Sequence, residues 1–197
     1  MPSIKLYPSV ITTVLAWTNP NNAKLDDGVY ATTGGTRNSN HDLIASSFSH
    51  FIPAGATINS VTVEVQYKLS TASSASTLTL QAQKSGVLSG TARAITTEPL
   101  TDTVLTNANT GTWSVADLAN ARVLFRVRRT SNTACTYSVD YIAISVDYTI
   151  AVEYKIGTFV SDNGSETIIN YIFSAGIGGV MASNNGEVET FVGFKSG

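Results

Sequence analysis

The sequence predicts an all-β chain, a jelly-roll-like antiparallel β-sandwich followed by a small C-terminal β extension. Three observations predict it. Side-chain polarity alternates with a period of two in segment after segment. Turn signals recur between those segments at short spacing. Helix-period patterning is almost absent. About eight strands with long irregular connections point to a jelly roll or related Greek-key sandwich, and no repeat of fixed period suggests a propeller or solenoid.

The stretch Phe51–Leu69 organises the rest. Pro53-Ala54-Gly55 is a turn, with proline presetting φ and glycine relieving the bend. Val61, Val63, Val65 and Tyr67 then face one way and Thr62, Glu64, Gln66 and Lys68 the other. A strand with one β-branched apolar face is half-buried and antiparallel, so Val63 and Val65 are expected in the core, and Glu64 and Gln66 accessible.

Taken in order, residues 4–17 carry β-branched, alternating pieces ending at Trp17, and Asn19-Pro20-Asn21-Asn22 is a strong loop signal. Asp26-Asp27-Gly28 marks a tight turn into a short strand, Val29–Thr32, and a glycine-rich loop, Gly34–Asn40. Leu43–Phe51 and Thr77–Gln83 read as strands, with weaker alternation at Ala92, Ala94 and Thr96. Residues 101–116 read as loop, and Val115–Leu118 as a single helical turn with Asp117 near its start. Ala121–Arg129 and Tyr137–Tyr148 are the last strong strands of a main domain spanning residues 1–149.

From Ile150 the pattern restarts, with strands at Val152–Val160, Thr167–Phe173 and Glu187–Phe194. A segment this short closes a core poorly alone. Such a segment either packs on the main sandwich or is completed by another chain. The second is the expectation, with residues 150–197 forming an assembly contact and Tyr154, Ile168, Tyr171 and Phe173 covered by another subunit or partner.

Composition narrows the function classes. Hydrophobic residues at 43% suffice for a core, while charged residues at 13% leave the surface to Ser, Thr, Asn and Gln. Such a surface suits protein packing or hydrogen bonding to sugars. A net charge of -2 gives no electrostatic case for nucleic acid. Cys135 is the single cysteine, so an internal disulfide and a cysteine-based metal cluster are excluded. Val10–Trp17 lacks a basic lead and a small-residue cleavage site, so no secretory signal is expected. Ile168–Ala182 is short and glycine-broken, so no membrane span is expected.

Candidate sites divide into four groups. Asp26, Asp27, Asn38, His41 and Asp42 offer oxygen and nitrogen ligands but no regular Asp-x-Asp spacing, and turn capping explains such residues equally well. Tyr30 and Tyr137 are candidate glycan contacts, whereas Trp17 and Trp113 border apolar runs and read as core caps. Arg122, Arg126 and Arg128, with Arg129 following, form a basic strand that is either a solvated edge or an intersubunit surface. Asp140, in an otherwise apolar strand, reads as a buried carboxylate satisfied by loop amides. G-x-S-x-G, H-E-x-x-H and G-x-x-x-x-G-K-[ST] are absent, and no enzyme or cofactor is expected.

Four runs carry a resemblance: W-T-N-P-N-N-A-K-L-D-D-G-V-Y-A (Trp17–Ala31), F-I-P-A-G-A-T-I-N-S-V-T-V-E-V (Phe51–Val65), W-S-V-A-D-L (Trp113–Leu118) and S-V-D-Y-I-A-I-S-V-D-Y (Ser138–Tyr148). Together they resemble a jelly-roll domain of bacteriophage virion proteins, of the kind found in tail, fibre and particle-surface components. The resemblance spans roughly residues 5–149 and implies a non-enzymatic structural module located in the virion. Its implied partners are other virion proteins and further copies of the chain. Similar phrases occur in carbohydrate-binding β-sandwiches, which keeps host-surface glycan as the alternative partner.

Overall fold

The computed structural model describes residues 2–34, 36–71, 76–95, 99–109, 111–130 and 132–150, and the strand backbones at 154–160, 166–172, 180–182 and 188–190. Two compact units result, Met1–Thr149 and Ile150–Gly197. The boundary falls where the sequence pattern restarts.

The first unit contains β1 (Ser3–Leu6), β2 (Pro8–Val14), β3 (Ala31–Thr33), β4 (Asn40–Phe48), β5 (Thr57–Leu69), β6 (Ser76–Lys84), β7 (Val87–Ile95), β8 (Thr103–Asn109), β9 (Ala121–Arg129) and β10 (Tyr137–Thr149). They form two five-stranded antiparallel sheets. In one, the order is β1-β10-β5-β8 with β3 also on β10; in the other it is β2-β4-β9-β6-β7. From β3 onward the pairings nest, β3 with β10, β4 with β9, β5 with β8 and β6 with β7, while β5–β10 and β6–β9 close the roll. That nesting is the jelly-roll topology.

The core lies between the sheets. Val61, Val63, Val65 and Tyr67 of β5 meet Val123, Phe125 and Val127 of β9 and Leu78 and Leu80 of β6, all essentially inaccessible. Tyr67 and Phe125 touch with ring centroids 5.8 Å apart. The period-two reading of β5 therefore holds for its apolar face. Its polar face differs: Glu64 is buried, because Lys5 of β1, at the edge of the same sheet, lies 2.7 Å away and Ser145 of β10 donates to it. Lys5 also sits over the Tyr141 ring, so the outer face of this sheet is closed by its own side chains.

Alternation along β10 changes phase at Asp140. Tyr137 and Val139 are buried on one parity, Ile142, Ile144 and Val146 on the other. The register against β5 shifts between Val139 and Tyr141, so Asp140 is the extra residue of a β-bulge. The bulge explains how one strand can bury residues of both parities.

Residues 103–109, read from sequence as loop, form β8. The strand was hidden because its inward positions include Asn107 and Asn109 rather than apolar residues. Their amides have a purpose in the fold. The β6–β7 register shifts between Leu80 and Ala82, which takes backbone carbonyls out of the ladder. Asn107 donates to Leu80 O at 2.9 Å and Thr91 O at 3.0 Å, and Asn109 to Ser89 O at 2.8 Å. Arg93 of β7 returns a bond to Thr106 O of β8. One side of the sandwich is thus sealed by side-chain amides instead of strand pairing.

The predicted helical turn is present as α1 (Val115–Ala119). Ser114 caps it: its hydroxyl accepts from Asp117 N, and the Asp117 carboxylate accepts from Ser114 N at 2.8 Å. Ser114→Ala is expected to lower stability by about 1 kcal/mol, seen as a lower denaturation midpoint with unchanged slope. The Ser114 amide, with its hydroxyl and Lys84, holds the Asp117 carboxyl below the usual carboxylate range. A depressed carboxyl stabilises the fold above its unfolded value and loses that contribution as pH falls through the folded one. The stability gap between the wild type and Asp117→Asn should therefore be present at neutral pH and vanish in acid.

In the second unit, β11 (Tyr154–Val160) and β12 (Glu166–Ile172) pair antiparallel from Tyr154↔Ile172 to Val160↔Glu166. A second pair joins β13 (Val180–Ala182) to β14 (Val188–Thr190). The first two strands and the last match expectation; β13 was not foreseen, being a three-residue strand after a glycine run. The side chains of Tyr154, Ile168, Tyr171 and Phe173 lie outside the described residues.

Candidate functional site

The acidic and histidine candidates of the N-terminal third do not converge. Asp42 of β4 points out of its sheet and is bound bidentately by Arg126 of the adjacent β9, with both N···O distances 2.8 Å. Next to it in sequence, His41 turns to the opposite face. Its Nε2 accepts from Thr36 N at 2.7 Å, which leaves Nδ1 to donate to Thr33 Oγ1 at 3.1 Å. Thr33 in turn donates to Ala16 O at 2.8 Å. Strand alternation alone separates the two neighbours. Among the described residues no group of three His, Cys, Asp or Glu side chains converges as a metal site.

Asp26 and Asp27 belong to a structural loop instead. The segment after β2 crosses to β3, where Thr18 and Thr32 exchange both backbone hydrogen bonds, at 2.7 and 3.0 Å. Pro20–Ala23 makes a single 3-10 turn, Ala23 is fully buried, and Asn22 donates to Tyr30 O at 3.1 Å. Gly28 has φ of 76°, a left-handed conformation that favours glycine. There the amides of Asp27 and Gly28 donate to Asp140 Oδ1 at 3.4 and 3.1 Å, and Gln66 donates to Oδ2 at 3.3 Å. Asp140 is 1% exposed. Burial pushes its carboxyl above the usual range, opposed by the two amides and reinforced by the charges of Asp26 and Asp27. The reading of Asp140 as a carboxylate satisfied by loop amides is correct.

The aromatic candidates are not brought together. Tyr137 is 1% exposed and belongs to the core, which removes it as a glycan contact; the register of β10 before the bulge turns it inward. Tyr30 is half-buried, with Lys68 Nζ 3.9 Å from its ring centroid and its hydroxyl donating to Asp102 at 2.8 Å. Lys68 also reaches Asp102, at 3.3 Å, so ring face and hydroxyl are both engaged. Trp17 and Trp113 are buried as expected of core caps, yet neither indole N–H has a hydrogen-bond partner among the described residues. Of the described aromatic side chains, Phe51 alone is fully exposed.

Of the two readings of the arginine strand, the solvated edge is ruled out by the strand order. β9 is the central strand of its sheet, not an edge, so Arg122, Arg126 and Arg128 occupy the middle of an outer sheet face. Across the strands, Ser46–Arg122–Gln83, Asp42–Arg126–Thr79 and Asn40–Arg128–Thr77 form three polar rows. Arg122 and Arg128 are exposed, and Gln81 and Gln83 are buried alongside them. This surface holds guanidinium donors and amides, with Ile44 and Leu124, followed by Gln81, between the first two polar rows.

A separate cleft of ≈ 260 Å³ is lined by Ile58, Asn59, Ser60, Gly111, Thr112 and Trp113. Ser60 donates to Asp147 at 2.6 Å, a bond that holds the Asp147 carboxyl below its usual range. The lining residues carry no histidine, thiol or carboxylate of their own, and the carboxylate at the Ser60 hydroxyl is that of Asp147, outside the lining.

Fold and surface together define an all-β jelly-roll sandwich with a polar, arginine-bearing sheet face. No protein-family model matches the chain, and no curated protein matches it in sequence. Solved structures of similar shape include the following three. A Stig cyclase, FisC from Fischerella sp. TAU, solved with an indole ligand, shares 9% identity at a TM-score of 0.44, covering 74% of this chain and 84% of its own. An arabinose-bound α-L-arabinofuranosidase, MgGH51, shares 12% at a TM-score of 0.39, over 70% of this chain and 23% of its own. TmCBM61, solved with β-1,4-galactotriose, shares 14% at a TM-score of 0.36, over 73% and 87%.

Proposed function

We propose that this chain is a non-enzymatic structural module of a bacteriophage particle, from the tail, baseplate, fibre or surface, that works through protein–protein contacts. The observation that carries the reading is the disposition of its aromatic and arginine side chains. A sugar-binding sandwich needs exposed rings on which a pyranose can stack. Here Trp17, Trp113 and Tyr137 belong to the core and Tyr30 is occupied by Lys68 and Asp102, which leaves Phe51 as the single fully exposed ring among the described side chains and no platform of several rings. What the described surface offers instead is a broad sheet face with two exposed arginines. Arginine is enriched in protein interfaces because its planar group makes several hydrogen bonds at once. The resemblance of the four sequence runs to virion jelly rolls supports a phage particle as the setting of that surface.

Antibody raised against the purified protein tests the reading by immuno-electron microscopy of particles from a lysate that expresses it. Labelling at a defined position on intact particles is the expected result. Particles left unlabelled, with the protein free in the lysate, would overturn it. Binding on a glycan array that is lost in Tyr30→Ala would move the assignment to host-surface carbohydrate.

A further inference from the structure

Sheet edges are the places where a β-sandwich either prevents or invites another chain, since each presents a row of unpaired backbone N–H and C=O groups. Most edges of this sandwich are blocked. β3 is covered by the two backbone bonds with Thr18. β1 is four residues long and carries Lys5. β7 is bulged, carries Arg93, and is tied to β8 by the amides of Asn107 and Asn109.

β2 has none of these devices. It ends the order β2-β4-β9-β6-β7 and runs seven residues, P-S-V-I-T-T-V, without a charge and with proline only at its first position. Its register against β4 is continuous from Val10 to Val14. Val10 is 41% and Val14 48% exposed, and Leu15, which ends the strand with φ of 62°, is 50% exposed.

We propose that β2 is a homodimer interface, in which two copies pair their β2 strands antiparallel about a two-fold axis at Thr12. The occupant is identified by self-complementarity. Val10, Thr12 and Val14 share the face that also carries Ser46, Ile44 and Asp42. Read in either direction this face is Val, Thr, Val. In a two-fold antiparallel pair centred on Thr12, Val10 opposes the second copy's Val14, and the two Thr12 residues oppose each other. A two-fold interface must pair a patch with itself, and β-branched residues directly opposite one another are favourable cross-strand pairs. The absence of charge removes repulsion between identical strands. Pairing would continue β2-β4-β9-β6-β7 into a sheet of twice the strand number. The inference concerns the isolated protein and does not depend on the particle assignment.

Light scattering coupled to size exclusion over a range of concentrations tests it on the full chain. The wild type should have the mass of a dimer. Thr12→Lys sets two like charges across the axis at an exposed site and should give a folded monomer, its melting transition confirming the fold. Thr12→Cys in a Cys135→Ser background should form a disulfide-linked dimer on mild oxidation, reversed by reductant. A wild type that is monomeric throughout, an assembly unchanged in mass by Thr12→Lys, or a Thr12→Cys dimer that never cross-links would each overturn the proposal.

Discussion

Val63→Asp is expected to abolish soluble folding. Val63 is fully inaccessible at the middle of β5, the strand paired on one side to Ile144 of β10 and on the other to Asn107 of β8. Its side chain faces the opposite sheet in the common core. An aspartate there has no cation within the apolar layer and must either ionise without solvent or take up a proton. Burying the polar group costs several kcal/mol, against a net stability of about 5–15 kcal/mol for a domain. The nearest carboxylates to succeed in this fold, Glu64 and Asp140, each have built-in donors that Val63 lacks. Expression of Val63→Asp should give only insoluble or unfolded protein. A soluble variant with an unchanged melting transition would remove the register assigned to β5.

Asp140→Ala should produce the next largest loss. The carboxylate ties the β10 bulge to the Asp27–Gly28 turn and to Gln66, and removing it strands donors in a site that is 1% exposed. Each buried donor left unpaired costs about 1–3 kcal/mol. Asp140→Asn should be milder, because the amide oxygen can still accept from the turn and the Gln66 amide can rotate to meet the new N–H₂ group. The two acids also predict opposite pH trends. Burial raises the Asp140 carboxyl, so the folded state binds its proton more readily than the unfolded chain does. Stability from this group is greatest at low pH and is lost as pH rises through the raised value, the reverse of Asp117. Denaturant titrations of the wild type against Asp140→Asn should show the wild type gaining relative stability as pH falls from neutral. A flat difference would mean that the carboxyl is solvated.

Much of this architecture was written locally. The alternating stretches of β5, β6, β9 and β10 are legible because a strand with one buried face must repeat its apolar residues every second position. The β9 boundaries, Ala121–Arg129, and the helical turn read at Val115–Leu118 are visible because short-range chemistry fixes them. Asp140 was legible too, as a lone acid in an apolar strand that demands local donors.

Other features were decided only by tertiary structure. β8 reads as loop because its Asn107 and Asn109 earn their inward positions through bonds to carbonyls freed by a register shift in a different sheet. Glu64 reads as exposed because Lys5, its cover, is brought from far along the chain by the pairing of β1 with β10. Whether the β9 arginines lie on an edge or in the middle of a sheet depends on strand order, which alternation does not encode. Tyr137 points inward because the bulge at Asp140 resets the parity of β10 only after it. Periodicity specifies which residues of a strand share a face. Which neighbour covers that face is set by long-range pairing, and there the residues far apart in sequence made the decision.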